Sequence, residues 1–133
     1  WWPGSTWNLW GGDVVIELDY EGYWGRDDYP SIGGCYYAAR IAALEALSSI
    51  RRQAAVILWR EIYPGFNLPI GVWWVRENVR AMFKGPYEKF NNIQDALNYV
   101  SRFLKIPIST WISRSYVIRR LMKQQGITNW LGR

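Results

Sequence analysis

The chain contains no histidine. That removes the commonest general base and the commonest metal ligand at neutral pH, and with them any Ser-His or Cys-His nucleophile pair. A single cysteine, Cys35, excludes an intrachain disulfide. It sits among alanines and tyrosines, with no basic neighbour nearer in sequence than Arg40, and reads as a small buried apolar residue. No apolar run reaches the roughly 18 residues that a spanning helix needs; Arg40 and Glu45 interrupt the best candidate. No secretory leader is visible, and a start at Trp1 reads as a proteolytically matured product or a fragment. The phosphate-cradling patterns GxxxxGK[ST] and GxGxxG are both missing.

What is present is unevenly placed. The 133 residues carry a net charge of +5. Residues 1–34 hold six acids (Asp13, Glu17, Asp19, Glu21, Asp27 and Asp28) against Arg26, a net −5. Residues 35–133 hold fifteen bases and five acids, a net +10. A basic body behind an acidic front points to a polyanion partner. Twelve of the sixteen bases are arginine, which favours nucleic-acid contact or a thermophilic source. Ten tryptophans and nine tyrosines exceed what a body of this size buries alone, so an extensive interface is expected.

The longest uninterrupted stretch runs from Cys35 to Tyr63, 29 residues without Pro or Gly. Tyr37, Ile41, Leu44, Leu47, Ile50, Ala54, Leu58 and Ile62 recur at steps of three or four, the helical period. Ser31 is the candidate N-cap and Pro64-Gly65 the stop. One helix of this length would be about 43 Å long. A second helix is expected over about Ile70–Lys84, with Val72, Val75, Val79, Met82 and Phe83 inward and Trp73, Arg76, Arg80 and Lys84 on another stripe. A third, about Asn92–Lys105, places Ile93, Leu97, Val100 and Leu104 on one side, capped by Asn91 or Asn92. A fourth opens at Ser109 or Thr110 and closes at Gly126, with Trp111, Ile118, Leu121 and Met122 inward and Tyr116, Arg119, Arg120 and Lys123 outward. Upstream, WWPGSTWNLWGG keeps no period, DVVIELD has short-strand character, and residues 20–34 are loop. The expected fold is all-α: a four-helix, bundle-like basic body (35–133) with one very long first helix, behind an extended, acidic, Trp-rich N-terminal arm (1–34).

The arm carboxylates have no spacing that matches a glycosidase pair or a calcium loop, so no enzyme, metal or cofactor is expected. The spread cations fit sequence-independent phosphate contact instead: Arg40, Arg51 and Arg52 on the long helix, Arg76 and Arg80 on the second, Arg114, Arg119, Arg120 and Lys123 on the last. Trp1, Trp2, Trp7, Trp10 and Trp24 lie among acids, which disfavours base stacking and fits subunit-interface anchors or groups facing lipid.

The arm WWPGSTWNLWGG, the stretch CYYAARIAALEALSSIRRQAAVILWREIY and the segment SRSYVIRRLMKQQ together resemble, in architecture, the major coat proteins of filamentous archaeal viruses: the rudivirus, lipothrixvirus and tristromavirus group. The resemblance implies a virion protein that pairs with itself or a paralogous coat protein, wraps linear double-stranded DNA in A form without sequence preference, and assembles into a helical filament, in several members under a lipid envelope. It departs from that pattern in its acidic arm, which fits a grip on the basic body of a neighbouring subunit better than contact with DNA. The alternative is a membrane-associated or DNA-free assembly protein that sets its basic helices and tryptophans at an anionic surface. A third reading, a small enzyme built on the arm carboxylates, has the least support.

Overall fold

The computed structural model describes residues 1–131, with side chains through Gln124. Five helices form and, among the described residues, no strand: α1 (Gly34–Ser49), α2 (Val72–Lys84), α3 (Ile93–Val100), α4 (Ile108–Arg114) and α5 (Tyr116–Leu131). The all-α expectation is met. The chain divides into two compact units, Trp1–Pro86 and Tyr87–Arg133.

The very long first helix does not form. α1 stops at Ser49 after 16 residues, about 24 Å. Ser48 and Ser49 are weak helix formers, and the Ser49 hydroxyl bonds back to the Ala46 carbonyl at 2.7 Å. Arg51 then turns left-handed, at φ 52°. Its N–H donates to the Ser48 carbonyl and the Arg52 N–H to the Leu47 carbonyl, both at 3.0 Å. This is a Schellman closure with arginine in the place where glycine is usual. Periodicity alone missed it because a stop of this kind leaves the apolar spacing intact. Beyond it, residues 53–63 are neither helix nor strand, and none of the described backbone hydrogen bonds uses residues 53–60.

The core face of α1 also differs from the expected one. Ala38 and Ala42 pack against Val75 and Val79 of α2, with Cys35, Ala39 and Ile70 at the margin. Small side chains let the two helices approach closely. A Cβ on Gly34 would sit 2.9 Å from a Val72 methyl, so even the first turn admits only glycine without a shift. The larger residues Tyr37, Ile41 and Leu44 are exposed on another stripe. No side chain caps α1; its N-cap is Gly33, and Ser31 instead donates to the Asp19 carboxylate.

Residues 1–34 fold onto their own unit. The Trp2 N–H donates to the Ile62 carbonyl at 2.9 Å, Thr6 to Phe66 at 2.6 Å and Gly65 to Gly4 at 3.1 Å. Asn8 is buried, and its side-chain amide donates to the carbonyls of Trp1 and Asp13. Among the described backbone–backbone bonds, DVVIELD engages through Val15 alone, which exchanges bonds with Trp1.

In the second unit Asn92 caps α3, as expected, by accepting from the Asp95 N–H at 2.8 Å. α3 ends at Val100 rather than Lys105. The single last helix is two helices broken at Ser115, and α5 runs through Gly126 instead of ending there. Leu97, Ile106, Trp111 and Ile118 are buried in this unit.

Replacing Arg51 with glycine relieves the left-handed penalty and is expected to raise stability by roughly 0.5–1 kcal/mol. A urea midpoint that moves upward with unchanged slope checks it; a continuous helix through this position would be destabilised by the same change.

Candidate nucleic-acid interface

The first unit pairs four of its seven arginines with its own carboxylates. Residues 1–86 hold nine acids and eight bases, a net −1, whereas residues 87–133 hold eight bases and two acids, a net +6. All five described ion pairs lie in the first unit. Arg40 donates to Glu21 at 2.6 Å. Arg80 holds both oxygens of Glu45, at 2.7 and 2.6 Å, and reaches Glu77 at 2.7 Å. The Glu45 carboxyl is lowered from its ordinary value by this contact with Arg80. The Arg76 Nε is buried 3.5 Å from Glu77 and makes no described hydrogen bond. Arg51 and Arg52 are exposed, but they form the turn that ends α1 rather than a stripe along a helix.

Asp19 is the most enclosed of these carboxylates. It accepts from Arg26 at 3.0 Å, from the Ser31 hydroxyl at 3.0 Å and from the Ile32 N–H at 2.9 Å. Burial, the largest single influence, pushes its carboxyl upward; the donated bonds from Ile32, Ser31 and Arg26 together outweigh it and hold the carboxyl below its ordinary value. The Arg26 guanidinium also lies 5.0 Å from the centre of the Tyr36 ring. The open hollow beside it, about 280 Å³, is lined by Glu21, Asp27 and Asp28 as well as Arg26, and suits no phosphate.

Four of the expected phosphate contacts come together in the second unit. Arg114 ends α4, and Arg119, Arg120 and Lys123 follow on α5; all four are exposed. The Ser115 hydroxyl oxygen accepts from the Ile118 N–H at 3.3 Å and caps α5, so it sets the corner between the two helices. Arg119 donates across that corner to the Ser113 carbonyl. Arg114, Arg120 and Lys123 take part in no described ion pair.

The five arm tryptophans separate into two groups. Trp2 packs near Tyr63, ring centroids 6.2 Å apart, and Trp1 lies under the Arg60 guanidinium at 5.7 Å. Trp7, Trp10 and Trp24 are exposed, at 76%, 96% and 94%. Sequence reasoning passed over a further cluster in the second unit, where Phe90, Tyr99 and Phe103 stand in a row beside Arg102. The spacing of Tyr99 and Phe103, one helical turn, was its signal. Among the described residues no group of metal-binding side chains is assembled and no helix is long and apolar enough to cross a membrane.

The geometry therefore defines an all-α protein with a self-neutralised unit and a basic unit. The chain belongs to the archaeal Nre family: the model of the archaeal Nre C-terminal region matches residues 21–130. It is 48% identical over 120 residues to the DNA repair protein NreB of Archaeoglobus fulgidus, covering 90% of this chain and 30% of the relative. It is 40% identical over 102 residues to the DNA repair protein NreA of the same organism, 77% of this chain and 24% of the relative. Similarity to NreA of Haloferax volcanii is 33% over 109 residues, 80% of this chain and 26% of the relative. The chain thus spans less than a third of the length of these relatives. No solved structure matches.

These relatives overturn the coat-protein reading, and with it the filament and the virion location. The physical basis of that resemblance is gone as well. Its long helix ends at Ser49, and its arm lies against residues 62–66 of the same chain.

Two outcomes are expected. Because Asp19 is depressed in the folded state, its contribution is complete above the ordinary carboxylate value, about pH 4, and falls away as the pH drops through the lowered one. Asp19→Asn therefore loses stability at neutral pH and flattens the acid limb of the stability curve, read from urea midpoints at several pH values. Ser115→Ala removes a helix cap and costs about 1 kcal/mol by the same assay.

Proposed function

We propose that this chain is the DNA-contacting part of a DNA repair protein, and that it acts by binding rather than by catalysis. The basic corner of α4 and α5 meets the phosphate backbone through Arg114, Arg119, Arg120 and Lys123, without reading bases. The observation that carries this is the partition of charge: +6 over residues 87–133, against −1 over residues 1–86, where carboxylates of the same unit hold Arg26, Arg40 and Arg80. Cations already held by carboxylates add little to a polyanion's binding, because each contact must first break a pair. Cations clear of such pairs release condensed counterions when they meet phosphate. The names of the relatives supply the process, DNA repair. The carboxylates engaged by arginine in the first unit favour a structural over a catalytic role for that half.

The test is salt-dependent binding of this chain to a DNA duplex by fluorescence anisotropy. Replacing Arg119, Arg120 and Lys123 together with alanine should weaken binding equally across sequences and lower the slope of log K against log salt by roughly 2–3. Arg80→Ala should leave both quantities unchanged. Strong preference for one duplex sequence, or an equal effect from Arg80→Ala, would sink the reading.

A further inference from the structure

The aromatic row of the second unit has no role in phosphate contact. Phe90 and Tyr99 have ring centroids 5.2 Å apart, and Tyr99 and Phe103 5.3 Å apart. The Arg102 guanidinium lies 5.9 Å from the Tyr99 ring centre, and the Lys89 ammonium 5.6 Å from that of Tyr87. A row of rings that served only as core would be covered. Phe103 is instead 66% exposed, Tyr87 76% and Phe90 40%, while Leu97 on α3 is buried at 2%. Tyr99, the one of these rings on α3, is half-buried beside the core residue Leu97, and the exposed rings Phe90 and Phe103 lie on either side of it.

We propose that Phe90, Tyr99 and Phe103, flanked by Lys89 and Arg102, form a stacking platform for unpaired bases of single-stranded DNA. The proposal rests on the reading of this unit as a phosphate-contacting surface and adds to it the strand state of the ligand. Phe90 and Phe103, held about 5 Å from the half-buried Tyr99 by tilted and edge-to-face contacts, offer exposed ring surface whose ordering cost is already met before binding. Bases stack on such faces whatever their sequence, and neighbouring cations take the phosphates between them. A duplex keeps its base faces inside the helix and has nothing to offer these rings. Charge complementarity selects the same ligand. The rings sit within residues 87–133 at net +6, whereas the exposed tryptophans of the arm sit among carboxylates. Many DNA repair reactions expose unpaired bases next to duplex, so a unit that meets phosphate through some residues and free bases through others suits the process named for the relatives.

The experiment compares this chain with its Phe103→Ala, Phe103→Leu and Phe103→Trp variants, on a labelled thymidine oligonucleotide and on a duplex of equal length. Phe103→Ala should weaken single-strand binding about tenfold and leave duplex binding unchanged. Phe103→Leu, which keeps apolar bulk in the same exposed place without a π face, should lose as much, and Phe103→Trp should restore binding. Full binding by Phe103→Leu would overturn stacking in favour of simple apolar contact. Equal losses on both ligands, or none on the single strand, would overturn the platform while duplex binding by the parent chain keeps the phosphate reading alive. Binding of neither ligand by the parent chain would end both.

Discussion

The close approach of α1 and α2 is the constraint on which residues 1–86 depend. It is made by alanines on one side and valines on the other, Ala38 and Ala42 against Val75 and Val79. Small side chains bury little area each, but they bring two backbones near enough for other contacts to form across the pair. Arg80 of α2 reaches Glu45 of α1 over 35 residues of sequence. Interiors packed at crystal-like density do not absorb added volume, so growth at any of these four positions would push the helices apart and break that bridge as well. The proximity that buries the alanines thus also puts the Glu45 carboxylate beside Arg80.

The second unit follows a different logic. Its helices are short, and its chain turns sharply at Ser115 to pack α4 and α5 together. With two acids in 47 residues it has few internal counter-ions. Positive charge that is not balanced internally disfavours compactness, and here it stays on exposed side chains of α4 and α5. The aromatic cluster of Phe90, Tyr99 and Phe103 sits in the same unit, with Arg102 beside the Tyr99 ring.

Much of this was legible in the residues. The helical content, the Asn92 cap and the burial of Leu97, Trp111 and Ile118 follow from spacing and cap chemistry; on α2 only Val75 and Val79 of the expected face are buried, whereas Val72, Met82 and Phe83 are exposed. The cations of α4 and α5 were legible too. What was not legible depends on distance in sequence. Glu21 is 19 residues from Arg40, and no local pattern announces that pair. The inward face of α1 was misplaced because size was taken as a guide to burial, whereas the tight helix contact selects the smallest residues. Arg51 hid the end of α1 because a left-handed arginine looks, in sequence, like any other helical arginine.

That ending has a consequence for the segment after it. Residues 53–60, QAAVILWR, follow the turn with backbone donors and acceptors that none of the described backbone bonds engages. Val56, Ile57 and Trp59 have high β-propensity, and between Gln53 and Trp59 there is no charge, proline or glycine to interrupt association. Such a stretch is a template for cross-strand pairing between copies of the chain. Arg51 and Arg52 stand immediately before it, and Arg60 and Glu61 close it. Charges at both borders are what keeps an adhesive strand from growing into an aggregate. The arginine pair that ends the helix thereby also borders an exposed, uncharged β-prone stretch, a duty that concerns association between copies rather than a ligand.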